Sequence, residues 1–127
     1  MDLLSFTIPG IPPSYDKHFK INYSFKEIYL TREAQKFKQT VMMAVPPFPV
    51  NPDDRFEVEI IVHTDWYYKN GKLRRLDIHN MDKLLVDAVF YRLGIDDSHV
   101  WKLTSSKYQD CDNSFTQVNI ARIPHEC

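Results

Sequence analysis

Apolar and polar positions alternate most clearly in "RFEVEIIVHT", Arg55 to Thr64, where Phe56, Val58, Ile60 and Val62 are interleaved with Arg55, Glu57 and Glu59. A period of two puts one set on a buried face and the other in water, which predicts a half-buried strand. Upstream the period lengthens. Ala34, Phe37, Val41 and Ala44 follow at helical spacing, with Thr31 as N-cap and Glu33 in the first turn, and Pro46-Pro47 ends the helix. "LLSFTI", Leu3 to Ile8, is a short strand cut off by Pro9-Gly10 and Pro12-Pro13. Residues 14–29 show no period and are predicted irregular, basic and aromatic. Residues 46–54 form a proline-rich loop, and residues 65–75 a loop turning at Asn70-Gly71.

A second helix is expected from near Asp77, whose carboxylate would cap it, to Leu93-Gly94. Met81, Leu85 and Ala88 fall on one side of it, flanked by Ile78, Leu84 and Val89; Asn80, Lys83 and Asp87 form a separate polar stripe. Residues 100–110 and 115–123 are predicted to be strands of a hairpin turned by "CDNS". The order β-α-β-α-β-β predicts an α+β fold: one domain over residues 1–127, a small mixed sheet with two helices packed mainly on one face.

Composition narrows the function. The chain has 127 residues, a net charge of -1 and two cysteines, Cys111 and Cys127. Such a length supports one core without staples. Two cysteines make neither a disulfide framework nor a zinc site, and His63, His99 and His125 have no metal-ligand spacing. With no apolar run of spanning length and no signal-like N-terminus, a cytoplasmic protein without membrane contact is expected. A near-neutral chain that binds nucleic acid must do so through a local basic patch.

Candidate chemistry gathers between Arg74 and Val100, "RRLDIHNMDKLLVDAVFYRLGIDDSHV". Asp77 stands at one end of the helix and Asp96-Asp97 at the other. Taken singly, each charge is more often a solvated face than a site. Together they offer grouped carboxylates, which a divalent cation relieves, and a lysine that can stabilise charge on a phosphate. Lys69, Lys72, Arg74 and Arg75 on the preceding loop suit a phosphodiester backbone, and Lys17 and Lys20, near Tyr15 and His18, can extend that surface. The composite points to metal-assisted phosphodiester hydrolysis. Trp66, Tyr67 and Tyr68 are candidates for packing or for base stacking, with packing favoured for at least one.

This stretch resembles the RusA family of Holliday junction resolvases, dimeric endonucleases whose core reads roughly D-x-D-N-x-x-K-x-x-x-D, a Gly-containing turn, then D-D-x-x-V. Asp77, Asn80, Lys83 and Asp87 fill the first part in register, and Gly94, Asp96, Asp97 and Val100 the second. "FTIPGIPPSYDKHF" and "YLTREAQKFKQTV" are similar to the family's opening strand and first helix. The resemblance implies a homodimeric endonuclease that resolves four-way DNA junctions with Mg2+, or Mn2+, as cofactor. It implies Asp77 and Asp97 as metal ligands, with Asp96 beside them, and Lys83 as the catalytic lysine. His79 stands where the family has its second aspartate. Four readings of that departure stay open: His79 binds the metal, favouring Mn2+; it transfers a proton; Asp82 supplies the missing charge; or the site is degenerate and the protein binds branched DNA without cutting it.

Overall fold

The computed structural model describes residues 3–13, 19–22, 27–78 and 81–124. The alternating strand β4 (Phe56–Thr64) lies inside a four-stranded sheet with β1 (Leu3–Pro9), β5 (Val100–Gln109) and β6 (Phe115–Arg122), in the order β1-β6-β4-β5. β4 runs parallel to β5 and antiparallel to β6, which is antiparallel to β1. The sheet is therefore mixed, and the fold is α+β.

Register explains the core. Val58, Ile60 and Val62 pair with Ile120, Val118 and Thr116, which continue to Leu4, Phe6 and Ile8. These positions point to one face, and all but the half-buried Phe6 are buried. Two helices cover that face and share its core: α1 (Arg32–Ala44) and α2 (Lys83–Leu93). α1 begins as its sequence requires, with Thr31 Oγ1 accepting from Ala34 N–H at 3.1 Å, and buries Ala34, Phe37 and Val41. The opposite face is polar: Glu59 accepts from Asn119, and Glu57 pairs with Lys102.

Three expectations need correction. First, residues 100–109 and 115–122 do not form a hairpin, because β4 lies between them. The "CDNS" loop instead crosses the end of β4: Asp110 N–H donates to Thr64 O, and Thr64 Oγ1 bonds Ser114 Oγ at 2.7 Å. β4, apolar on alternate positions, gains by pairing on both edges, whereas β5 is exposed along most of its length and suits the outside. Second, α2 starts at Lys83, six residues after Asp77, so Asp77 does not cap it; a tight turn, Met81 N–H to Ile78 O, intervenes. Third, the segment expected to be irregular contains two short strands, β2 (Phe19–Asn22) and β3 (Glu27–Leu30), paired antiparallel.

α2 is buried nearly all round, with Leu84, Leu85, Val86, Ala88, Val89, Phe90 and Leu93 enclosed. It is the crossover that any parallel pair needs, here joining β4 to β5. Of Trp66, Tyr67 and Tyr68, the first is core at 3% exposure and the other two are exposed. Among the described residues, no helix is long and apolar enough to cross a membrane.

Candidate active site

Lys83 is the first residue of α2, and Asp87 lies one turn later on the same face, so an i,i+4 pair forms with Lys83 Nζ 3.2 Å from Asp87 Oδ1. The same ammonium lies 3.8 Å from Asp97 Oδ2, although Asp97 follows the helix. The return path explains this meeting. Gly94 adopts φ +80, and Phe90 O accepts from both Gly94 N–H and Ile95 N–H at 3.0 and 3.2 Å, closing the helix and turning the chain back. Asp96 then caps a single 3-10 turn, Asp97–His99, with its Oδ1 accepting from Ser98 N–H at 3.0 Å. His99 Nδ1, 2.8 Å from Asp54 O, fixes the far side of the turn.

Two carboxyl groups, Asp87 and Asp97, consequently flank one ammonium, and Asp96 bonds Asp97 beside them. Asp97 is held above the usual carboxylate range: its hydrogen bond with Asp87 is the largest cause, then its bond with Asp96 and partial burial, while Lys83 opposes the shift. Asp96 is held below that range, chiefly by the Ser98 N–H and then by its bond with Asp97. A proton shared within this group favours Asp97. The crowding is a surplus of negative charge that one lysine only partly meets, and the donor set is the hard oxygen chemistry that suits a divalent cation.

The adjoining cleft, about 320 Å3, is lined by Asp82, Lys83, Val86, Asp97, Val100, Trp101 and Leu103. Asp82, the residue offered as substitute for a missing charge, thus opens onto the same cleft as Asp97. Its Oδ2 accepts from Ser105 Oγ of β5 at 3.4 Å. Among the described residues, no group of three or more His, Cys, Asp or Glu side chains is set to hold a metal ion.

Asp77 is exposed, on the segment that leads to α2. Its position is set from β5: Lys107 Nζ donates to the carbonyl of the preceding Leu76 and lies 4.5 Å from the centre of the Trp66 ring. Arg74 is also tied down, its N–H donating to Trp66 O at 2.7 Å and its guanidinium to Asp65 O at 3.0 Å. Arg74 is therefore an anchor of the loop as well as a charge on it. Lys69, Lys72 and Arg75 are exposed around the Asn70-Gly71 turn, where Gly71 takes φ +83 and Tyr68 and Lys72 close a tight hairpin. Lys20 lies in β2, away in sequence from this loop. His79 and Lys17, with Asn80, Tyr15, His18, His125 and Cys127, lie outside the described residues.

Three participants were not assigned from the sequence. Asp87 stands in the polar stripe and in the register of the family motif but carries no role there, yet it bonds Asp97; its place four residues after Lys83 is a further signal. Ser105 and Trp101 gave none, because their nearness depends on β5 lying beside β4 rather than β6.

No curated protein matches the chain. Comparison with protein families matches residues 9–121 of its 127 to the family described as Endodeoxyribonuclease RusA. That match runs from the end of β1 through the crossover and nearly to the end of β6, and it includes the Lys83, Asp87, Asp96 and Asp97 cluster described above. The chain belongs to the endodeoxyribonuclease RusA family.

Proposed function

We propose that this protein is a cytoplasmic, divalent-metal-dependent endodeoxyribonuclease that resolves four-way DNA junctions by paired nicking as a homodimer. The observation that carries the reading is the ammonium of Lys83 held between Asp87 and Asp97, at 3.2 and 3.8 Å, in a chain of this family. Asp77 and Asp97, with His79, would hold Mg2+ or Mn2+; Asp96 takes a smaller share, because its carboxylate already accepts from Ser98 N–H. When bound, the metal would supply an activated water and charge neutralisation at the phosphate.

The chain's own groups do the rest. Lys83 offers a positive charge to the phosphate as negative charge builds there. Asp87 orients Lys83 through the i,i+4 pair and lets it swing between carboxylate and substrate. Lys69, Lys72 and Arg75 hold the sugar-phosphate backbone without reading its sequence. Arg74 keeps their loop against Trp66. Two copies related by a two-fold axis suit a junction in which strands of like polarity are cut together.

The test is a four-way junction labelled on each strand in turn, incubated with the natural protein and Mg2+ or Mn2+. Symmetrically paired nicks are expected, falling about 100- to 1000-fold in Lys83→Met at unchanged thermal midpoint. Binding of the junction without nicks under either metal would establish the non-cleaving alternative. His79→Asp adds a second arm: if His79 is a ligand, the variant cuts at least as fast and shifts toward Mg2+, and its loss of rate at low pH moves below that of the imidazole.

A further inference from the structure

We propose that Trp101 is a stacking platform for an unpaired base of branched DNA, beside the Lys83–Asp97 cleft. The inference rests on the nuclease reading above, and three independent features of Trp101 carry it.

The first is backbone geometry. Phe56 pairs with Val100 and Glu57 with Lys102, so Trp101 is the extra residue of a bulge in the parallel β4–β5 ladder. A bulge at a sheet edge re-aims one side chain out of the regular alternation. The second is the ring's surroundings. The Arg55 guanidinium lies 4.7 Å from the ring centre and is itself fixed by donating to Pro124 O at 2.5 Å. Trp101 nevertheless remains 65% exposed, so the ring keeps open surface beside its contact with Arg55. A large flat ring, braced by a cation and still exposed, is the arrangement that receives a nucleobase.

The third is position. Trp101 lines the cleft that holds Lys83 and Asp97, and it also lines a broader groove of about 730 Å3 with Pro52, Asp53, Asp54, Arg55, Ser98 and His99. It stands on the ridge between the two. Of the groove's two carboxylates, Asp54 is met by Arg122 at 3.1 Å, and Asp53 is exposed at the rim. A strand whose phosphate reached Lys83 would present its neighbouring base to Trp101. Branch points supply unstacked bases and uninterrupted duplex does not, so the platform would favour branched over linear DNA. The flat indole makes the contact tolerant of base identity.

The test uses the full chain in EDTA, where no cleavage occurs. Binding is read by anisotropy of a labelled four-way junction and of a linear duplex at matched salt, and the junction carries 2-aminopurine at the branch. Trp101→Leu, which keeps apolar bulk without a flat ring, should weaken junction binding about 5- to 150-fold and abolish 2-aminopurine quenching. Duplex affinity should not change, and Trp101→Phe should bind within about threefold of the natural protein. Equal junction affinity for Trp101→Leu overturns the proposal. So does a change in the sedimentation of the free protein, which would assign this edge to a second copy of the chain. A natural protein that ignores junctions removes the nuclease reading and the platform together. One that binds and cuts junctions while Trp101→Leu does the same removes the platform alone.

Discussion

Replacing Asp54 by alanine should cost this protein about 3 kcal/mol of stability. Asp54 closes the proline-rich loop onto β6. It is 9% exposed, and its Oδ2 accepts from Arg122 Nε at 3.1 Å and from Asn51 N–H at 2.7 Å. Arg122 also donates to Pro49 O, and its guanidinium lies 4.5 Å from the centre of the Phe48 ring. Removing one partner of a buried pair typically costs about 3–5 kcal/mol, because the other charge stays buried without its counterion. The lower end applies here, since the Arg122 side chain keeps 18% exposure as well as its Pro49 contact. With an m-value of roughly 1.5 kcal/mol/M for urea, the unfolding midpoint should fall by about 2 M with no change in slope. The double variant Asp54→Ala, Arg122→Met removes both charges and should recover much of the loss. The two substitutions are therefore expected to be strongly non-additive. A midpoint for Asp54→Ala within about 0.5 M of the natural protein would refute the reasoning, as would a double variant that simply sums the two single losses.

Alanine at Lys69, Lys72 and Arg75 together should flatten the salt dependence of junction binding by about 0.9 per lost phosphate contact while leaving the melting temperature unchanged. Arg74→Ala should instead lower the melting temperature, because it breaks the bond to Asp65 O. Asp65 is held below the usual carboxylate range, first by Gln109, then by the Tyr67 N–H and by Arg74. Its folded pKa thus lies under its unfolded one, and its contribution is complete above about pH 4 and lost as pH falls through the folded value. Melting temperature followed into acid should consequently fall less steeply for Asp65→Asn than for the natural protein. Asp97 is shifted the other way, so its charged form costs stability above its folded pKa. Asp97→Asn should abolish cleavage yet raise the melting temperature at neutral pH in chelator, by a few tenths of a kcal/mol after solvent screening, with the gain vanishing in acid.

What could be read without coordinates tracks how local each determinant is. β4 and α1 announce themselves because alternation, the Thr31 cap and Pro46 act within a few residues. The core side of α2 was legible for the same reason, since Met81, Leu85 and Ala88 lie on one face. Its start was not, because Asp77 is a capable cap and only the turn from Ile78 to Met81 shows that the chain does not use it. The β5–β6 order was missed because the two strands are consecutive and joined by a good turn sequence. Their separation follows from β4 competing for both edges, a three-strand effect that no short window contains. For the site, motif register identified Lys83 and Asp97, whereas the bond from Asp87 to Asp97 depends on how far Gly94 and Asp96 fold the chain back.

The crossover from β4 to β5 carries nearly every group assigned to the reaction, and it ends on a strand that is hydrogen-bonded along one side only. Of the two edge strands, β1 buries Leu4 and Ile8 in the core while β5 is exposed along most of its length, so β1, β6, β4 and α1 can stay assembled while β5 lifts. Amide hydrogens of β6, and those of β4 that bond to β6, should therefore exchange only through global unfolding, and those between β4 and β5 through a cheaper, partial opening. In that opened form the Lys107 clamp on Leu76 and the Ser105 contact with Asp82 are both gone. The protein would keep its fold and lose its cutting geometry.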